Sequence, residues 1–396
     1  MVLTRRKGQL WILDRLIALA GLETLFPETV PSYVFWGYEM ADLRRVMERT
    51  KNRSSMRVEW TKQAQRREEI ARRAEAEGHL ETARDEYHLA SLYFGFAQYT
   101  IQEDDNPQKI SLHGKCISCY DKVIKYSKYR IEKVEIPYES ASIPGLLHLP
   151  TNGKKNPCVI FLPGTDMFKE EVPNPKRNIF VDRGLAVLTI DGPGQGESNI
   201  RKIRVRDDLW AYEKTVSAAI DCLEKRPEID SAKIAVFGVS TGSYWAPRSA
   251  VYEAGGRNRI KACIGMMFNW EPAFDTEYNR AQPAFKMNYM YMSGVHDEDE
   301  FDKKVAAAMT LDGFASKIKC PVLIVGGEYD ELCSVEDVQR IFEQISSPKA
   351  MVVYANEFHP LGGVTPECWE FCVDWIKDVL GGKPLPRETR INVPQA

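Results

Sequence analysis

Phe237-Gly238-Val239-Ser240-Thr241-Gly242 closes an apolar run that begins Ile234-Ala235-Val236. An unbroken apolar run followed at once by Gly-x-Ser-x-Gly predicts a buried strand that turns sharply into a helix. A serine hydroxyl is a weak nucleophile at neutral pH. It needs a histidine to take its proton and backbone N–H groups to receive an oxyanion, and a strand-to-helix turn leaves room for both. Such a turn also needs small residues where the chain crowds, and Gly238 and Gly242 supply them. Ser240 is therefore the candidate nucleophile, although the same five residues also suit a plain surface turn. The flanking chain decides between the two.

Outward from that turn, short apolar runs alternate with amphipathic ones. Residues 131–136 and 142–149 read as a strand pair. Cys158 to Leu162 and Ala186 to Ile190 read as buried strands, ended by Pro163-Gly164-Thr165-Asp166 and by Asp191-Gly192-Pro193-Gly194-Gln195-Gly196. Leu209 to Leu223 is helical; strands follow at 233–237, 261–267, 321–325 and 350–354, with helices at 243–253, 336–345 and 366–380. Strands spaced by helices predict a mostly parallel sheet flanked by helices, with function beyond the strands' carboxyl ends. The glycines at 192–196 could instead cradle a pyrophosphate. Pro193 removes a backbone donor, the spacing is G-x-G-x-G and no helical run opens on the last glycine, so a structural turn is expected.

A serine nucleophile requires a base and a carboxylate that holds the base in the right tautomer. Val322-Leu323-Ile324-Val325 ends in Gly326-Gly327-Glu328-Tyr329-Asp330, and Met351-Val352-Val353-Tyr354 is followed by a loop reaching His359. Alone, Asp330 would pass for a helix cap and His359 for a loop histidine. Ser, Asp and His in that order, each after its own buried strand, predict a triad.

The front of the chain has a different texture. Trp60, Ala64, Ile70, Ala71 and Ala74 recur at helical steps, Gly78 breaks the run, and Leu80, Ala83, Tyr87, Ser91 and Phe94 resume it. This helical hairpin is similar to a single tetratricopeptide-type unit, but no second copy follows. The expected organisation is a helical cap over 1–128 and a catalytic domain over 129–396. Tyr33, Phe35, Trp36, Tyr38 and Tyr93-Phe94-Gly95-Phe96 suit either a ligand cleft or an interdomain core. A net charge of −3, with the basic residues of 57–73 interleaved with glutamates, gives no push toward nucleic acid or an anionic membrane. Arg5-Arg6-Lys7 before Leu10 to Leu19 superficially resembles a signal peptide, but Asp14 and Arg15 interrupt the apolar stretch. No run of eighteen apolar residues exists. Nine cysteines, including Cys116-x-x-Cys119 and Cys368/Cys372, favour reduced thiols in a cytoplasmic protein over a disulfide scaffold or a zinc site.

Residues from about 130 to 380 resemble an α/β-hydrolase, on the elbow at Ser240, the Asp-Gly-Pro-Gly-Gln-Gly-x-Ser turn at 191–198, and the terminal Asp330 and His359. The helical front and Leu162-Pro163-Gly164-Thr165-Asp166 with Lys169-Glu170-Glu171 resemble a narrower branch. It holds pseudooxynicotine-type hydrolases and fungal pigment-pathway hydrolases that shorten polyketides, and is similar to the fermentation–respiration switch esterases. The resemblance implies carbon–carbon bond hydrolysis beside a ketone. It also implies a functional glutamate after the strand Ala262 to Met267, at Glu271. Kept protonated in an apolar pocket, Glu271 would donate a proton to a leaving carbanion; the alternative is a cap for a helix starting at Pro272.

The expected chemistry is attack by Ser240, with its proton passing to His359 and Asp330 orienting that histidine. The oxyanion would be held by the backbone N–H groups of Thr165 and Thr241. Direct activation of water by His359 is the variant. No cofactor or metal is required. The partner expected is a small aromatic or polyketide-like substrate, with a homodimer as one form of assembly. Residues 272–312, rich in Met and Tyr, read as a helical lid, and the acidic run 296–300 as a solvated helix start rather than a calcium loop. A carboxylesterase or lactonase, and a non-catalytic binding protein on the same fold, are the competing functions.

Overall fold

The apolar run ending at Val239 forms the strand Ile229–Val239 at the centre of a nine-stranded sheet. The computed structural model describes residues 6–25, 28–205 and 210–395. The strands are β1 (Arg130–Tyr138), β2 (Ala141–Leu149), β3 (Asn156–Leu162), β4 (Ala186–Ile190), β5 (Ile229–Val239), β6 (Ile260–Met266), β7 (Val322–Gly327), β8 (Lys349–Tyr354) and β9 (Glu388–Val393). Their order is β1-β2-β4-β3-β5-β6-β7-β8-β9, with β1–β2 and β2–β4 antiparallel and the rest parallel. From β3 the chain crosses outward to β4, and from β5 it crosses the other way to β6. The carboxyl ends of β3 and β5 thus flank a topological switch point, where a parallel sheet opens a crevice.

Among the described residues seven α-helices precede the sheet: α1 (Leu10–Ala20), α2 (Leu22–Leu25), α3 (Thr29–Trp36), α4 (Met40–Arg49), α5 (Arg53–Ala76), α6 (Leu80–Ala97) and α7 (Pro107–Tyr126). Asn52 caps α5 by accepting the Ser55 N–H at 2.8 Å, and Gly78, at φ +79°, makes the turn into α6. Trp60, Ala64, Ala71, Ala74, Ala83 and Leu92 of this hairpin are buried in one continuous cluster with Val159, Phe161, Ala235 and Phe237 of the sheet. The hairpin thus shares one apolar cluster with this side of the sheet, while Leu13, Ile17 and Leu22 form a small cluster within the helical front. The other face is covered by α9 (Ala211–Glu224), α10 (Thr241–Ala254) and α13 (Val335–Phe342), whereas α14 (Thr365–Leu380) packs on the first face.

Between β6 and β7 the expected lid consists of short turns, α11 (Ala284–Ser293) and α12 (Glu298–Lys304). Its Met and Tyr side chains at 287, 289, 290 and 292 are buried against the second face. Asp297 caps α12 by accepting the Glu300 N–H at 2.9 Å, but Glu298 is not solvated: it is buried beside Lys286 at 3.5 Å.

One other expectation is corrected and one strand is added. A short helix, α8 (Gly196–Ile200), does open on the last glycine of the glycine-rich turn. It binds no free anion there, because the Asp191 carboxylate already accepts the Glu197 N–H at 2.8 Å, and any Cβ on Gly196 would strike that carboxylate. The turn is structural, filled by its own aspartate. Strand β9 was not expected: its alternating, exposed side chains carry no apolar run, and it pairs only with β8 at the sheet edge. The described part of the helix expected from Leu209 begins at Ala211; Leu209, like Arg5, lies outside the described residues. The stretch that superficially resembles a signal peptide forms α1, whose Leu13 and Ile17 are buried. Among the described residues no helix is long and apolar enough to cross a membrane, and all nine cysteines are free thiols.

Candidate active site

Ser240 leaves β5 with φ 53° and ψ −122° and stands at the N-cap of α10. A positive φ at a non-glycine residue costs roughly 1–3 kcal/mol, so the surroundings must enforce it. They do so through the Ser240 N–H, bound to the Met266 carbonyl at 2.9 Å, and through two close backbone approaches. A Cβ on Gly238 would collide with the Gly242 carbonyl, and one on Gly242 with the carbonyl of Leu162 in β3. This is a buried strand-to-helix elbow rather than a surface turn.

His359 follows β8 and reaches back to the elbow, with Nε2 2.9 Å from Ser240 Oγ. Its Nδ1 lies 3.0 and 2.9 Å from the two oxygens of Asp330, after β7. The Asp330 carboxylate is fixed in turn by backbone N–H groups of Leu332 (3.0 Å), Cys333 (3.1 Å) and Phe268 (3.1 Å). Burial pushes the His359 pKa down, but the adjacent Asp330 carboxylate, supported by Glu331 and Glu277, more than offsets this and raises it to about 9. The structure thus brings together the three residues that the sequence separates by 90 and 29 positions.

Thr165, just after β3, and Thr241, the first residue of α10, are linked through their hydroxyls. Among the described residues neither backbone N–H has a protein acceptor. Glu271 is not turned toward the serine. Its carboxylate accepts the Thr276 N–H at 2.7 Å and the Thr276 hydroxyl at 3.0 Å, so it caps the following turn; neither it nor Glu277 is among the residues that line the cavity at Ser240. Six residues on, Glu277 is 2% exposed and accepts from Asn269 Nδ2 at 2.9 Å. Burial, opposed by the Asn269 hydrogen bond and by His359, raises its pKa to about 7. No sequence pattern marked Glu277; only the path of the turn after Glu271 brings it into the field of His359.

Ser240 and His359 open into a cavity of about 210 Å³ whose other walls include Leu13, Ile17, Tyr33, Trp36, Trp60 and Phe96 of the helical front. The aromatic residues left open between cleft and core divide: Tyr33, Trp36 and Phe96 line the cavity, whereas Phe35, Tyr38, Tyr93 and Phe94 pack behind it. Three carboxyl side chains that sequence reasoning missed also line it: Asp166, Glu171 and Glu331. Burial lifts the Glu171 pKa to about 8 even though the Tyr38 hydroxyl donates to it at 2.8 Å. Glu331 accepts the His359 backbone N–H at 2.9 Å and steadies the histidine loop.

The profile of the FrsA-like esterases matches residues 49–380. 2,6-Dihydropseudooxynicotine hydrolase of Paenarthrobacter nicotinovorans is 31% identical over 334 residues, 83% of this chain and 86% of that protein. 20-Hydroxy-prefusarin hydrolase of Gibberella moniliformis is 27% identical over 330 residues, 73% of this chain and 77% of that protein. The crystal structure of a 2,6-dihydroxy-pseudo-oxynicotine hydrolase aligns with a TM-score of 0.78 at 28% identity, covering 91% of this chain and 98% of the other. The match across most of the chain, on a sheet that carries a serine elbow at its switch point, means that this protein belongs to the FrsA-like esterase family and is an α/β-hydrolase.

Proposed function

We propose that this hydrolase uses Ser240, His359 and Asp330 as a triad to cut the carbon–carbon bond beside a ketone in an aromatic or polyketide-type substrate. The observation that carries the proposal is the unbroken Ser240–His359–Asp330 contact, 2.9 Å at each link, opening into an aromatic cavity. Ser240 Oγ adds to the substrate carbonyl while His359 Nε2 takes its proton. The new oxyanion sits between the N–H groups of Thr165 and Thr241. When the carbonyl re-forms, the carbon–carbon bond breaks and its electron pair leaves on the α-carbon, where a second carbonyl spreads the charge as an enolate. Glu277 protonates that carbon in the role expected of Glu271 and is reprotonated by the His359 imidazolium; neutral His359 then takes a proton from the attacking water and returns it to Ser240 Oγ as the acyl bond breaks, which releases the carboxylic acid. Burial and the electrostatic coupling to His359 support Glu277 in this role. Residues 1–128 act as the cap and 272–312 as the lid of the cavity, and nine buried or half-buried free thiols support a cytoplasmic setting.

Two relatives are named as hydrolases of small organic compounds, 2,6-dihydropseudooxynicotine and 20-hydroxy-prefusarin, which supports a small-molecule substrate. Carboxylic ester or lactone hydrolysis is the second proposal, favoured by the esterase description of the family. Mass spectrometry of products from matched aryl β-diketones and aryl esters separates the two. The first proposal expects a carboxylic acid plus a methyl ketone from the diketone; turnover of the esters alone overturns it.

A further inference from the structure

Gln195 is 1% exposed, lies beside the elbow and has no part in the chemistry above. Its Nε2 donates to the carbonyls of Pro163 (2.9 Å) and Gly164 (2.8 Å), and its Oε1 accepts from the Tyr212 hydroxyl at 2.8 Å. Two carbonyls on one side and a hydroxyl on the other admit only this orientation of the amide. The anchor is itself held. Tyr212 is stacked on Trp245, with centroids 4.6 Å apart and planes 5° from parallel, in space kept open by Gly192. Asn199 Nδ2 donates to the Gly194 carbonyl at 2.9 Å, and Asp191 accepts the Lys169 N–H at 2.8 Å, tying the glycine-rich turn to the segment after β3.

This grip has a geometric consequence. In a trans peptide the C=O and the next N–H point in opposite directions. With the Gly164 carbonyl held by Gln195, the Thr165 N–H is turned away from Gln195. The same residue borders the nucleophile on its other side, where a Cβ on Gly164 would lie 3.2 Å from Ser240 Cβ. We propose that Gln195 is the positioning residue of the oxyanion pocket: it sets the Gly164–Thr165 peptide so that the Thr165 N–H faces the oxygen that becomes charged when Ser240 attacks. The inference rests on the serine-hydrolase proposal. It assigns a purpose to Asp191-Gly-Pro-Gly-Gln-Gly, a turn whose close approaches carry one amide into the space behind the elbow.

Misplacing one preorganised donor costs on the order of ten- to a hundredfold in rate, short of the 10²–10³ for deleting it. Gln195→Ala is expected to lower kcat by about that factor with KM within about twofold. The deciding readout is a pair of inhibitors, an aryl trifluoromethyl ketone that forms a tetrahedral oxyanion on the serine and the matching methyl ketone that does not. Gln195→Ala should weaken the trifluoromethyl ketone in proportion to its loss in kcat and leave the methyl ketone unchanged. Gln195→Glu, which keeps the volume but sets an oxygen against the carbonyls, should behave alike, and Tyr212→Phe should show a smaller loss with the same split. If a folded variant keeps the wild-type preference for the fluorinated ketone, or loses both inhibitors equally, the inference is overturned while the serine-hydrolase proposal stands. If the wild-type enzyme itself shows no preference, the serine-hydrolase proposal falls, and this inference with it.

Discussion

At the scale of single residues, the distances around Ser240 make separable claims. Ser240→Ala removes the proposed nucleophile without touching Gly238 or Gly242, so turnover should fall at least about a thousandfold with folding intact. A phosphonate probe that still labels the alanine variant would place the nucleophile elsewhere. The acid role proposed for Glu277 was open to Glu271 in the sequence, where a cap was the alternative. Glu277→Gln should slow ketone cleavage by on the order of a hundredfold and aryl ester hydrolysis much less, because only a departing carbanion needs a second acid. Glu271→Gln removes a local cap, so its expected effect is a lowered Tm and similar small losses on both substrates. His359 adds a pH signature. With its pKa raised to about 9 in the free enzyme, the neutral base is scarce at pH 7, so kcat/KM for an aryl ester, which needs no second acid, should rise with pH up to about 9 and level off above about pH 10. The same shift makes a stability statement of opposite sign. A histidine pKa raised above its unfolded value near 6.5 stabilises the fold fully below that value, and the contribution is lost as pH rises through about 9. A flat kcat/KM profile for the ester between pH 7 and 10 would contradict this account.

At the scale of elements, α7 carries a group that the sequence pattern does not distinguish from any helix-face histidine. His113 is 1% exposed, and neither ring nitrogen has a hydrogen-bond partner among the described residues. Burial, with the Lys169 ammonium, holds its pKa down to about 4. The unfolded chain takes up a proton near pH 6.5 that the folded chain refuses, so this site removes stability as pH falls from about 6.5 toward 4. The loss is at most about 1.4 kcal/mol per pH unit. His113→Leu fills the site with an apolar side chain of similar size. The difference in Tm between variant and wild type should therefore grow in the variant's favour from pH 7 to pH 5. A difference independent of pH would mean that the imidazole binds its proton equally in the folded and unfolded chain, with no shift in pKa.

At the scale of the whole molecule, the helical front and the sheet share a single apolar cluster, and the cavity over Ser240 has walls from both. Cutting the chain near Tyr129 would uncover the apolar face that the helical front buries, including Phe168, on which Gly95 sits, and the open side of the cavity. At roughly 25 cal/mol per Å² of apolar surface, uncovering such a face is not offset by anything the truncated sheet gains. A truncated protein starting there should be insoluble or aggregate. A soluble, fully active truncation would make the front an independent module.

The alternation of buried strands and helices, the elbow at Ser240, and the order Ser, Asp, His were legible in the sequence because each is a local property. An apolar run, a turn residue or a helical period is decided within a few neighbouring positions. Whether a carboxyl is a cap or an acid is not local. Glu271 and Glu277 are six positions apart and chemically identical, and only the fold of the segment after β6 buries one beside Asn269 while leaving the other at a turn. The cavity acids Asp166, Glu171 and Glu331, the edge strand β9 and the hold of Gln195 on the segment after β3 were likewise settled by tertiary structure. Their roles depend on which distant backbone lies opposite, and that is set by the order in which the strands pack.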